Sequence, residues 1–308
     1  FFPILFFLLA FVIGISAGTT VLVGQAWGAQ NLEKVRCVIG STLFMTLIGG
    51  SVIAVLGVMM AEPMLKLLGT DAKVMHLSLP YVQWMLAGSP LLFFYIIYTS
   101  ILRGVGDSVT PLIALSLTSL IGLAVTPVLL KGYFGFPALG IVAPAIATIL
   151  GYAAVLIFLG FYLNYKNHPL KIDARLLQSI RHDATLSKLI LKLGIPTGIQ
   201  MVTTSLAGLV IIGLVNHYGA HATAAYGAVN QVLNYIQFPA LSISIAASIF
   251  AAQAIGAGKP DLLAKVTRTA LGMNFLFTGS LIALAYLFSK YLMALFIIDH
   301  SVIELGQQ

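Results

Sequence analysis

Residues 141–163 read IVAPAIATILGYAAVLIFLGFYL, and no Asp, Glu, Lys or Arg interrupts them. A helix needs about 20 apolar residues to cross a hydrocarbon core of about 30 Å. This stretch is long enough, so the fold turns on how often its like recurs. Seven other stretches are equally free of those four residue types, at about 1–24, 37–61, 78–101, 111–130, 195–216, 231–254 and 269–289. Eight helical spans are therefore expected. A charge at the bilayer centre costs at least about 2.5–3.5 kcal/mol. The confinement of every charge to the segments between these stretches marks lipid as their solvent.

Composition agrees. The 308 residues are 59% hydrophobic and 8% charged, with a mean hydropathy of +1.02, against roughly 25% charged residues in a soluble domain. The single cysteine, Cys37, excludes an internal disulfide framework and a Cys-based metal cluster. The fold class is an all-α polytopic membrane protein, with no metal site, no catalytic residue and no cofactor expected. Phe1 stands inside an apolar run, and Gln308 follows with no stop pattern. Both ends are read as truncations.

The loops set the orientation. Those after the first, third, fifth and seventh spans hold twelve of the sixteen Lys and Arg, among them Lys34, Arg36, Arg103, Lys166, Lys171, Lys259, Lys265 and Arg268. The alternate loops hold four: Lys66, Lys73, Lys131 and Lys290. By the positive-inside rule, loops 25–36, 102–110, 164–193 and 255–268 are cytoplasmic. This accounts for the net charge of +7 without a nucleic-acid partner. The partners expected are the lipid bilayer and a small-molecule substrate, with the protein monomeric in a bacterial-type inner membrane. Residues 164–193 form the long polar segment, read as a cytoplasmic linker with a short amphipathic helix near Leu176, Leu177 and Ile180. The expected divisions are a lobe at 1–163 with five spans, this linker at 164–193, and a partial second lobe at 194–308 with three spans.

The chain repeats itself. Ile15-Ser16 and Gln25-Ala26-Trp27-Gly28-Ala29 return as Ile243-Ser244 and Gln253-Ala254-Ile255-Gly256-Ala257, at a constant offset of 228. The same offset pairs Leu67 with Leu295, Asp71 with Asp299 and Val74 with Val302. The seventh span repeats the first after an even number of crossings, so the copies share an orientation. That is a parallel repeat, an architecture suited to alternating access around a central cleft.

Several motifs have local physical content. In Arg103-Gly104-Val105-Gly106-Asp107-Ser108-Val109-Thr110-Pro111 the glycines allow a tight turn past a helix end. Asp107 can cap the next helix, whose first turn receives Pro111. Arg103 can pair with Asp107 or with lipid phosphate. Gln25 and Gln253 end repeat-related helices, and Gly24/Gly28 and Ala252/Gly256 are small-xxx-small pairs that permit close helix contact. Gly14-Ile15-Ser16-Ala17-Gly18 matches G-x-S-x-G, but it sits within an apolar helix with no His or acid beside it, which excludes a nucleophile elbow. Uncharged polar residues recur at helical spacing within spans: Gln200, Thr203 and Thr204, then Asn230, Asn234 and Gln237. Gln83, Trp84, Tyr95 and Tyr98 add aromatic and amide groups to the third span. The candidate substrate cleft is Gln83, Tyr98, Gln200, Thr204, Asn230 and Asn234. The candidate structural or gating set is Gln25, Gly28, Arg103, Gly104, Gly106, Asp107, Pro111, Gln253 and Gly256. Pro90, Pro127 and Pro239 are expected to kink their helices.

These segments resemble the multidrug and toxic compound extrusion (MATE) family. The run 18–29 resembles that family's second helix and following loop, and 103–111 resembles its Arg-Gly-x-Gly-Asp-Thr-x-Thr-Pro loop. Ala145-Ile146-Ala147-Thr148 and Gly194-Ile195-Pro196 are similar to the starts of its sixth and seventh helices. The resemblance covers nearly the whole chain, as about helices two to nine of twelve. It implies two parallel-repeat six-helix bundles of the MATE/MOP type. It also implies a non-enzymatic secondary antiporter that exports cationic or amphipathic compounds in exchange for Na+ or H+. The family's first-helix acidic residue would lie upstream of Phe1, so the coupling site is expected outside the chain. The sequence departs from the family's acidic sites: Gly122 and Thr126 stand before Pro127 where an Asn and an Asp are common, and Thr204 stands where one branch has Glu. Two other readings are a lipid-linked precursor flippase of the same superfamily and a membrane-embedded enzyme. Each calls for charged or catalytic groups at membrane depth.

Overall fold

In hydrocarbon a backbone amide has no water to turn to, and a helix satisfies its own. The apolar stretches accordingly become helices. The computed structural model describes residues 2–67, 72–135, 137–171, 173–180 and 183–288. The helices are α1 (Phe2–Gly28), α2 (Leu32–Leu67), α3 (Ala72–Ala87), α4 (Ser89–Gly104), α5 (Val109–Lys131), α6 (Ala143–Tyr165), α7 (Ala174–Ser179), α8 (Ala184–Asn216), α9 (Ala220–Gly256) and α10 (Asp261–Leu287). Short 3-10 turns at Tyr133–Gly135 and Gly140–Val142 link α5 to α6. Among the described residues, seven helices are long and apolar enough to cross a membrane, and an eighth crossing is made if α3 and α4 count as one.

The third expected span, 78–101, is therefore not one continuous helix. It breaks at Gly88, and its halves meet at a bend of 45°. Pro90 explains the break: it has no N–H to give the Leu86 carbonyl, and its ring crowds the preceding turn. Pro127 and Pro239 instead lie inside the continuous helices α5 and α9.

The described residues fall into two compact units, 1–199 and 200–308, and the division lies within α8. Residues 184–193, read from sequence as the end of the linker, are the first turns of α8. In the first unit the main core runs from Val23, Val35, Val38, Ile39, Ile101, Leu102, Leu159, Leu163 and Ile190 to Ala61, Leu65, Val82 and Leu86. The short linker helix is present as α7, and Leu176 is buried in this core. The side chain of Leu177 lies outside the described residues. Ser179 donates to the Arg36 carbonyl at 3.2 Å, and the Arg36 guanidinium lies 3.7 Å from Asp173. The polar segment is thus fastened to α2. In the second unit α9 packs on α10, where Asn274 donates to the Ala240 carbonyl at 3.5 Å.

The repeat reappears as backbone geometry. At the end of α1, Ala29, Gln30 and Asn31 donate to the carbonyls of Gln25, Trp27 and Ala26. At the end of α9, the residues 228 positions later do the same: Ala257, Gly258 and Lys259 donate to Gln253, Ile255 and Ala254. The second residue beyond each helix is left-handed, with φ of 56° at Gln30 and 67° at Gly258. This is the Schellman cap. It also closes α4, through Gly106, and α6, through Asn167. The further repeat pairs at Asp71/Asp299, Leu67/Leu295 and Val74/Val302 involve positions outside the described residues.

A left-handed backbone costs a side-chain-bearing residue roughly 1–2 kcal/mol and glycine almost nothing. Gln30→Gly is therefore expected to raise the thermal midpoint of the purified protein, and the reciprocal Gly258→Gln to lower it. Melting curves in detergent of the two variants, moving the same way, would contradict this.

Candidate functional site

The 103–111 turn joins α4 to α5. Gly106 supplies the left-handed residue of the cap, with φ of 95°. Gly104 has a different role. A Cβ there would stand 3.1 Å from the Thr20 carbonyl oxygen and from Val23, a tight contact that glycine relieves where α1 and α4 approach. The Asp107 carboxylate accepts from the Val109 and Thr110 amides at 3.1 and 3.0 Å and from the Thr110 hydroxyl at 2.5 Å. It caps α5 as the sequence suggests, and Pro111 lies buried in the first turn. The third partner of Asp107 is His168, whose Nε2 lies 3.8 Å from Oδ2.

Arg103 turns away from Asp107. Its Nη2 donates to Ser100 Oγ at 2.7 Å, and Ser100 Oγ lies 2.5 Å from Ser16 Oγ. Thr20 donates to the Ser16 carbonyl at 2.8 Å and lies 3.4 Å from the Ser100 carbonyl. The serine of the G-x-S-x-G match is thus part of a polar seam between α1 and α4. A second seam runs through Thr19 and Thr42, 3.2 Å apart, and a third through Ser41 and Ser187, also 3.2 Å apart.

The two glycines of that match have a structural purpose. A Cβ on Gly14 would come within 2.8 Å of the Gly194 carbonyl oxygen, and one on Gly194 within 2.3 Å of the Gly14 carbonyl oxygen. A Cβ on Gly18 would stand 2.4 Å from the Ile190 carbonyl oxygen, and one on Gly198 3.2 Å from that of Ala10. Gly14/Gly18 of α1 and Gly194/Gly198 of α8 form a close backbone crossing of the small-xxx-small kind. The spacing is visible in the sequence at both sites. The pairing is not, because nothing local says which two glycine stripes meet.

The expected cleft residues divide between the units. Tyr98 is buried in the first unit, 5% exposed, and its hydroxyl donates to the Leu170 carbonyl at 2.8 Å. It is a strut to the linker, where the sequence placed it in the cleft. Gln83 is half-buried on α3. In the second unit, Gln200 and Thr204 lie one turn apart on an exposed face of α8, and the Thr204 hydroxyl donates to the Gln200 carbonyl at 2.9 Å. Asn230 is half-buried and Asn234 exposed, one turn apart on α9. Gln25 and Gln253 are half-buried in the last turns of α1 and α9, where Gly28 and Gly256 are the final helical residues. Among the described residues no group of three or more His, Cys, Asp or Glu could hold a metal ion.

These features define a polytopic, all-helical integral membrane protein with repeat-related helix ends. The MatE family model matches residues 1–128 and 196–308, and the chain belongs to that family. It is 42% identical over 308 residues to the "Probable multidrug resistance protein YoeA" of Bacillus subtilis, covering 100% of this chain and 66% of that protein. It is 28% identical over 303 residues to the "FAD transporter" of Shewanella oneidensis, covering 98% and 66%. The chain thus spans just under two thirds of the length of these relatives. A solved structure described as the outward-facing conformation of a multidrug resistance MATE family transporter of the MOP superfamily matches with a TM-score of 0.88 at 22% identity, over 100% of this chain and 67% of its own. That likeness shows the fold, and the family resemblance read from the sequence is borne out.

Overpacking a close-packed contact costs typically about 1–3 kcal/mol, so Gly194→Ala is expected to destabilise the protein. Gly213→Ala, on the same helix with nothing within 4 Å of its added Cβ, is expected to be neutral or stabilising. Thermal unfolding of the two variants side by side checks the crossing, and equal midpoints would remove it.

Proposed function

We propose that the protein acts as a secondary antiporter. It exports cationic or amphipathic compounds in exchange for Na+ or H+ by alternating access, and it is a transporter and not an enzyme. The observation that carries this reading is the family match, together with 42% identity to a protein named for multidrug resistance. The chemistry of the spans supports the substrate class. They hold no Lys or Arg to bind a phosphate, whereas the amide faces of Gln83, Gln200, Asn230 and Asn234, with Thr204, offer neutral oxygens to a cation. This favours a drug-like cation over FAD or a lipid pyrophosphate. The spans also hold no Asp or Glu, and Gly122, Thr126 and Thr204 stand at the family's charged places. Coupling in this reading rests on neutral oxygen ligands or on groups outside the spans. The protein works as a monomer in an inner membrane, with the Lys/Arg-rich loops 25–36, 102–110, 164–193 and 255–268 in the cytoplasm.

Cells expressing the intact transporter are expected to accumulate less of a cationic dye than cells without it, and collapsing the ion gradient should abolish the difference. Asn230→Ala and Asn234→Ala should slow efflux at unchanged expression. Dye levels that match the control across a broad panel of cations, with the protein in the membrane, would refute the reading.

A further inference from the structure

We propose that residues 167–171, which follow α6, form an acid-released strap over the α4–α5 turn, with His168 as its trigger. The strap begins at the α6 cap, where Asn167 is left-handed and the His168 amide donates to the Leu163 carbonyl at 2.9 Å. Two contacts then hold it down, and a third, within the strap, sets its shape. The Leu170 side chain is buried, 3% exposed, in the core of the first unit. The Leu170 carbonyl accepts from the buried Tyr98 hydroxyl at 2.8 Å, and the Leu170 amide donates to His168 Nδ1 at 3.2 Å. Nδ1 can accept only while it carries no proton, so this bond requires the neutral imidazole with its proton on Nε2, the nitrogen nearer Asp107.

One proton added at Nδ1 turns that acceptor into a donor facing the Leu170 N–H. The strap loses this bond. The imidazolium is drawn to Asp107, but that attraction does not offset burial and the charge of Lys166. That carboxylate is 3.8 Å away and already accepts from two amides and a hydroxyl. The charged groups facing His168 are Asp107, from the α4–α5 turn, and Lys166, from the end of α6. Lys171, on the strap itself, donates to Asn167 Oδ1 at 3.3 Å, and Arg103 is engaged with Ser100.

Burial lowers the His168 pKa below its ordinary value and Lys166 lowers it further, while Asp107 opposes them. A base with a depressed folded pKa gives stability that is present above its unfolded pKa of about 6.5. That stability is lost as pH falls through the folded value. The strap is therefore closed at neutral pH and opens on the acid side. Beyond it, Asp173 pairs with Arg36 and α7 rests on α2, so release frees the chain between two fixed points.

The test is hydrogen exchange at the Leu170 amide of the full chain in lipid nanodiscs, read as a protection factor so that intrinsic exchange cancels. Losing one such bond should lower protection about tenfold between about pH 7.5 and pH 5 in the wild type. His168→Asn places an untitratable oxygen where Nδ1 was, as in an Asx turn, and should keep protection high at both pH values. His168→Ala should lose it at both. Wild-type protection that does not fall in acid, a wild-type-like fall in His168→Asn, or full protection in His168→Ala would each overturn the strap. None of these outcomes depends on transport, so they stand or fall apart from the antiporter reading.

Discussion

A backbone N–H or C=O in hydrocarbon has to find its partner within the protein, and the rest of the structure follows from that requirement. It makes the apolar stretches into helices and drives every charge to the segments between them. It also makes helix ends and helix breaks the places where the chain has work left to do. Four helices, α1, α4, α6 and α9, close with the same Schellman cap. The cap satisfies the last carbonyls with the amides of the next two residues, so a span can end without a polar side chain. One cap uses Gln30 and its repeat partner uses Gly258, which shows that the hydrogen bonds are kept while the residue in the strained position varies.

With the backbone satisfied internally, packing between helices rests on close approach and small polar contacts, since lipid tails are as apolar as leucine. The first unit shows both. Hydrogen at Gly14, Gly18 and Gly194 brings backbones together where a methyl would collide. Ser16, Ser100, Thr19, Thr42, Ser41 and Ser187 place hydroxyls across the same seams. The segment after α6 is joined to its neighbours as well. Asp107 is shared between the α5 cap and His168, Tyr98 reaches the Leu170 carbonyl, and Arg36 reaches Asp173. The 103–111 motif is thus less a substrate contact than the place where α1, α4, α5 and the segment after α6 are tied.

The sequence by itself determined the solvent, the class and the existence of a repeat, because each is written in a period or an absence of charge. It also determined the role of Asp107, since a cap is a local contact between residues two or three positions apart. Tertiary structure alone decided what depends on partners distant in the chain. It split the third crossing at Gly88 to a degree that Pro90 only hinted at. It gave Tyr98 a carbonyl 72 positions away and made the glycines of a false G-x-S-x-G match one side of a helix crossing. It turned a loop histidine with no sequence signature into the neighbour of Asp107. The physical reason is the same in each case. Periodicity reports which face of a helix is apolar, but lipid and protein are equally apolar neighbours, so only the folded chain says which faces meet.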